Sequence, residues 1–224
     1  MEGIVEDCFR FFFAQEICMK KIIIVLALMT LSFPAFAGGF SGSVGAVSDY
    51  VLRGRTQSDG SPAIQYTVKA EKGGFYIKSW GSQVDFNNDT SAEVHAYVGA
   101  AWETDSPFSF DLGYKHISYI GDEISFSDDI AEVYGTINLG PISTTLYRNV
   151  ETDTNYYTGS LSVGEMLGLP FGASVFAGRN TVDETDYGIS ISKSFHNFII
   201  SYSYTDMDID EDVSAHSVGI FYNF

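Results

Sequence analysis

The sequence predicts an all-β fold, a closed antiparallel up-and-down transmembrane β-barrel of about 12 strands. Three observations predict it. Apolar and polar residues alternate with period two through most of residues 38–224, short and long connections take turns between the alternating segments, and the chain ends on His216, Val218, Ile220, Tyr222 and Phe224, all on one face. Alternation is shared with half-buried strands of soluble sandwiches. The sorting of the loops and the aromatic terminus decide between the two.

Residues 1–37 stand apart from the fold. Met19, Lys20 and Lys21 precede an apolar run from Ile22 to Leu31 and the exit Phe33-Pro34-Ala35-Phe36-Ala37. A charged start, an apolar stretch shorter than the roughly 20 residues of a membrane span and a small-x-small exit make residues 19–37 a signal peptide, with cleavage expected after Ala37. Glu2, Glu6, Asp7 and Glu16 lie ahead of it, which does not suit an export leader, so residues 1–18 read as a mis-assigned start extension. Residues 38–224 are then the outer-membrane β-barrel. Both cysteines, Cys8 and Cys18, fall outside that part, so it holds no disulfide and no thiolate metal site. Removing Arg10, Lys20, Lys21 and the four acids leaves 9 basic against 25 acidic residues, a net charge of −16. Counterion-release binding needs a basic patch, so nucleic acid is not expected as a partner.

The strands follow in order, each with its expected lipid-facing set. The first carries Phe40, Gly42, Val44 and Ala46; the second Ile64, Tyr66, Val68 and Ala70; the third runs from Phe75 to Val84, and its facing stays open. The fourth carries Val94, Ala96, Val98, Ala100 and Trp102; the fifth Phe108, Phe110, Leu112 and Tyr114; the sixth Ala131, Val133, Gly135, Ile137 and Leu139. Weaker patterns mark the seventh (Ile142, Thr144, Leu146), the eighth (Tyr157, Gly159, Leu161, Val163) and the ninth (Phe171, Ala173, Val175, Ala177). The tenth carries Tyr187, Ile189 and Ile191, the eleventh Phe198, Ile200, Tyr202 and Tyr204, and the terminal set is the twelfth. Its closing aromatic looks like the strand that bacterial outer-membrane barrels present to their assembly machinery.

Connections at 71–74, 103–107, 140–141 and 196–197 are tight, and that at 165–170 is slightly longer. Those at 48–61, 85–90, 120–128, 151–155, 181–185 and 206–213 are longer and acidic. Short turns on one rim and long loops on the other are the plan of an outer-membrane barrel, and closure leaves no unpaired edge in lipid. Rings near the strand ends, among them Trp102, Phe108, Phe198, Tyr204 and Tyr222, suit the two headgroup levels.

Residues 48–60 read SDYVLRGRTQSDG, followed by SPAIQ and later by GGFYIKSWGSQVDF. These stretches resemble the signature of the TorF-type porin family of bacterial exported proteins, over residues 48–86, with a consistent length and strand pattern through Phe224. The resemblance implies an outer-membrane barrel that passes small solutes and carries over no catalytic or ligand residue. Arg55 departs from it, standing where an apolar residue is expected. Read physically, the stretch is a strand end entering a rigid loop: Gly54 and Gly60 permit positive φ, and Asp59-Gly60 is a turn dipeptide. Asp49, Arg53, Arg55 and Asp59 are the mouth candidates. They either pair locally and fold the loop, or leave the arginines free to meet anionic solutes.

The strand phases turn Lys69, Glu93, His95, Tyr97, Asp111, Lys115, Glu132, Tyr134, Thr136 and Asn138 inward, with Lys78 on the strand of open facing. So many polar groups belong in water or in internal pairs. Lys69, Glu93, His95, Asp111, Lys115 and Glu132 are therefore the pore-lining candidates, as a bracing salt-bridge ladder or as a charged constriction. His116 and Ser118 share the outward face near the outer rim, a spacing that resembles lipid-facing phospholipases, but no orienting group for His116 is evident. The run from Asp206 to Asp212 offers alternate oxygens yet lacks the glycine and distal glutamate of a calcium loop. No metal or cofactor site is expected. The sequence thus points to a cation-preferring, porin-like channel for passive diffusion of small hydrophilic solutes in the cell outer membrane. Its expected partners are outer-membrane lipids and lipopolysaccharide and, in biogenesis, the barrel-assembly machinery. The alternatives are a non-conducting structural or surface-binding barrel and, less favoured, a lipid hydrolase.

Overall fold

A computed structural model describes residues 38–121, 129–208 and 213–224. The expected signal peptide and start extension lie outside them. In chain order the elements are β1 (Gly39–Val47), the short β2 (Val51–Leu52) and β3 (Arg55–Thr56), β4 (Ala63–Lys72), β5 (Phe75–Gln83), β6 (Ala92–Glu103) and β7 (Phe108–Ile120). Then come β8 (Ile130–Leu139), β9 (Ile142–Asn149), β10 (Asn155–Ser162), the one-turn helix α1 (Val163–Met166), β11 (Gly172–Asn180), β12 (Thr185–Phe195), β13 (Phe198–Asp208) and β14 (Ser214–Asn223). Each long strand pairs antiparallel with its sequence neighbour, and β1 pairs with both β4 and β14, which closes a twelve-stranded barrel. Among the described strands only β2 and β3 stand outside it, as a small hairpin.

Register fixes which face each side chain takes. Phe40, Val44, Val98, Leu112, Val133, Ile137, Ile189, Ile200, Val218 and Ile220 are exposed on the outside, an apolar surface that water would not tolerate and lipid does. The strand left open also resolves. Lys78 pairs with Tyr97 and Trp80 with His95, so Tyr76, Lys78, Trp80 and Ser82 face inward. No helix among the described residues is long and apolar enough to cross a membrane; this barrel crosses with strands.

Closure places the terminal strand beside the first. Phe224 and Gly42 exchange backbone hydrogen bonds at 3.0 Å, and the Phe224 ring lies 6.3 Å from that of Phe40. Around the same rim Phe198 meets Tyr222, and Trp102 stacks on Phe110 at 5.7 Å. The short connections leave from this rim: 73–74, 104–107, 140–141 and 196–197, with α1 in the longer fifth.

Candidate functional site: the lumen and its inward hairpin

The connection between β1 and β4 does not extend from the barrel. It turns into it. Arg53 and Gly54 form the two-residue turn of the β2–β3 hairpin with φ of 49° and 83°, as a type I′ hairpin turn requires at both central positions. Asp59 and Gly60 also take positive φ, 50° and 69°, in agreement with their reading as a turn dipeptide. Asp49 fastens the hairpin's base by accepting from Thr56 Oγ1 at 2.6 Å and Ser58 Oγ at 3.0 Å. At the tip, a Cβ on Gly54 would come within 2.3 Å of Met207 Cγ, so only glycine lets the turn rest on the β12–β13 wall.

Its side chains then reach the other walls. Tyr50 packs with Ala63, Val84, Val47, Leu52, Trp80 and Phe86 in a small apolar cluster, and its hydroxyl donates to Glu93 at 3.3 Å. Burial and the adjoining Glu93 carboxylate push that hydroxyl well above its ordinary pKa, so it remains a donor. On β14, Ser217 Oγ donates to the Asp49 carbonyl at 2.6 Å. Arg53 Nη2 donates to both oxygens of Glu132 on β8, at 2.8 and 3.1 Å, and its guanidinium lies 4.3 Å from the Tyr156 ring centre. Lys115 on β7 meets the same carboxylate at 2.5 Å. Glu132 is thus a shared anchor for two cations.

This corrects one expectation about the mouth. Arg53 and Arg55 do not pair with Asp49 and Asp59: Arg55 binds Glu184 at 2.7 Å, while Asp59 meets Asn87. Asp49 already serves the loop hydroxyls, and the hairpin aims both guanidinium groups at the walls.

Of the pore-lining candidates, Glu93, His95, Lys115 and Glu132 are buried beneath the hairpin, whereas Lys69 and Asp111 remain half-buried further along the lumen. Glu93 is 0% exposed and bonded to His95. Lys69 pairs with Glu71, and Asp111 accepts from the Tyr76 hydroxyl at 2.7 Å.

Sequence reasoning took Tyr97 and Tyr134 as merely polar and missed Tyr76, Tyr147 and Tyr156. Together they form a belt along β5–β10 in which the rings of Tyr97, Tyr134, Tyr147 and Tyr156 follow one another at 5.6–6.2 Å. Cations sit over these rings: Lys69 at Tyr76, Lys78 at Tyr97, Lys115 at Tyr147 and Arg53 at Tyr156, between 3.8 and 5.0 Å from the centres. Each contact supports a partly desolvated charge. Tyr134 can lie flat because it is paired with Gly113, where a Cβ would sit 2.5 Å from its hydroxyl. The signal is an inward tyrosine opposite an inward glycine, visible only once register is known.

The opposite wall differs. Inward residues of β11–β14 and β1 include Ser174, Ser190, Ser201, Ser203 and Ser43, half-buried although they face into a closed barrel, and among the described residues of these strands Asp186 is the one charged side chain turned inward. Outside the barrel, His116 Nε2 and Ser118 Oγ both contact Asp129 Oδ2, at 2.7 and 3.2 Å. A polar partner for His116 therefore exists, contrary to expectation, but Ser118 donates to the carboxylate and not to the imidazole, so the His–Ser pair that the spacing suggested is not formed. In the acidic run, Asp206 accepts from Tyr204 at 2.7 Å; residues 209–212 lie outside the described part.

A twelve-stranded barrel with an apolar exterior and a polar lumen is an outer-membrane protein by construction. Comparison with known proteins adds the family. The Gcw_chp profile, described as a bacterial protein of unknown function, matches residues 34–223. The chain belongs to the Gcw_chp family. That finding overturns the resemblance to the TorF-type family. The SDYVLRGRTQSDG stretch that carried it builds the inward hairpin, through Asp49, Gly54 and Gly60, and its residues are explained by that fold alone. Among solved structures, a KdgM porin superposes with a TM-score of 0.58 at 13% identity, over 82% of this chain and 99% of that one. The KdgM porin in complex with disordered oligogalacturonate gives 0.58 at 12% identity, over 83% and 99%. Pseudomonas aeruginosa OpdQ is more distant, at 0.43 and 9% identity over 83% and 68%. At such identities the KdgM likeness establishes a shared barrel fold. No curated relative of the chain was found.

Proposed function

We propose that this Gcw_chp barrel is a passive, cation-preferring channel for small hydrophilic solutes, narrowed at its outer end by the β2–β3 hairpin. The observation that carries the reading is the polar lumen, whose serine-lined wall stays half-exposed inside a closed sheet. Solute would diffuse along it with no cofactor and no covalent step. Cation preference follows from the acidic connections at the outer rim, including Asp89, Glu151, Asp153 and Asp183, and from the net charge of residues 38–224. Against it stand the luminal cations, of which Arg55 and Lys69 each hold a carboxylate, Arg53 and Lys115 share that of Glu132, and Lys78 lies over the Tyr97 ring. In the membrane, lipids and lipopolysaccharide would surround the apolar face, and the barrel-assembly machinery would insert it.

A swelling assay tests conduction without reference to charge. Proteoliposomes should swell quickly in a neutral pentose and slowly in a neutral trisaccharide. No swelling in either would remove the channel. A non-conducting barrel is the second reading, favoured by the hairpin's contacts with walls as far apart as β6, β8 and β13.

A further inference from the structure

Inward residues that face one another from strand to strand form a row across β1 and β4–β8: Ser41, Lys69, Lys78, Tyr97, Lys115 and Glu132. The row holds three ammonium groups and one carboxylate, and that carboxylate is already shared by Lys115 and Arg53. Lys69 is held by Glu71. Lys78 lies 3.8 Å from the centre of the Tyr97 ring, and among the described residues it has no carboxylate within 4.0 Å and no hydrogen-bond acceptor. The charges that act on it from further off are Asp111, which accepts from Tyr76, and, with the same sign as its own, Lys69 and Lys115. A half-buried ammonium with unspent donors and a second ammonium directly opposite is costly until an anion joins it.

We infer that Lys78 and Lys69 form a luminal binding subsite for the carboxylate of a small monovalent organic acid. Opposed side chains on paired strands start about 5 Å apart, so the two oxygens of one carboxylate can each accept from a different ammonium. One negative charge is what the row lacks; a dianion would bring a second one towards Asp111 and Glu132. Ser41, opposite Lys69, and Thr67, on the same face of β4, offer hydroxyls to the rest of the solute. The pair lies towards the rim of the short connections, three residues from the end of β4 and three from the start of β5. The subsite goes beyond the cation-preferring reading and does not rest on it: the acidic connections stand at the opposite rim, so small ions can be sorted there and a carboxylate held further in.

Calorimetry on the full barrel in non-ionic detergent micelles, at about 0.01 M salt where screening is weak, uses gluconate and glucitol as matched probes that differ by a carboxylate in place of a hydroxymethyl group. Wild-type protein should bind gluconate at least about fivefold more tightly than glucitol, the scale of one ion pair at about 4 Å in water. Lys78→Met keeps the length of the side chain without its charge and should bring gluconate down to the level of glucitol. Lys78→Arg keeps the charge and should retain the preference. The heat-dependent shift in electrophoretic mobility shows that each variant is folded, and Lys78→Gln replaces Lys78→Met, with the same expectation, if the latter is not. Wild-type protein that binds the two probes equally or binds neither, or an uncharged variant that keeps the wild-type preference, would overturn the subsite. Because the measurement needs no current, gluconate bound by a barrel that does not conduct would leave the subsite standing and remove the channel.

Discussion

Glu132→Ala should cost the barrel about 3–5 kcal/mol, the largest loss expected from any single side chain here. The substitution leaves Arg53 and Lys115, the latter almost fully buried, without the carboxylate they share. Breaking a buried pair by deleting one partner exposes the full desolvation cost of the other, and here two charges are stranded together. Urea unfolding in phospholipid vesicles, followed by tryptophan fluorescence and by the heat-dependent shift in electrophoretic mobility, reads the effect. Lys115→Met in the same background removes one stranded charge and should recover part of the loss. If Glu132→Ala unfolds with the wild-type midpoint, the anchor has no energetic weight.

Replacing residues 51–57 with two glycines should raise single-channel conductance roughly threefold, because conductance follows the narrowest cross-section. The hairpin contributes no strand to the barrel, and the twelve-stranded ladder closes without it. The variant should therefore still show the mobility shift of a folded barrel. A folded variant with unchanged conductance would mean that the hairpin does not narrow the path.

These two expectations rest on features of unequal legibility. The strands were legible because each is long enough to express period two several times over and one face must be apolar in lipid. The third strand was the exception: Tyr76, Lys78, Trp80 and Ser82 alternate with Phe75, Ile77, Ser79 and Gly81, so both faces mix aromatic and polar groups, and register with β6 was needed to decide. The hairpin was not legible. Its strands are two residues each, too short for any period, and the partner of Arg53 lies 79 residues away. Local charge suggested Asp49 and Asp59 instead, because nearness in sequence is the only distance a sequence displays. The tyrosine belt stayed hidden for a related reason, since stacking across β5–β10 depends on register between strands far apart in the chain. Asp129 escaped notice because it lies eleven residues beyond Ser118, outside the strand that carries the His116–Ser118 spacing. The motif that suggested a family was informative about backbone, its glycines and Asp49 being requirements of an inward turn, and uninformative about kinship.

A narrowed, cation-preferring pore formed by residues 38–224 is read out by the reversal potential of the purified protein in planar bilayers across a potassium chloride gradient. Wild-type barrel should conduct in small steps and hold a reversal potential on the potassium side, larger at 0.01 M salt, where the screening length is about 30 Å, than at 1 M, where it is about 3 Å. A folded barrel that passes no current, or one whose reversal potential lies on the chloride side, would mean that no such pore exists.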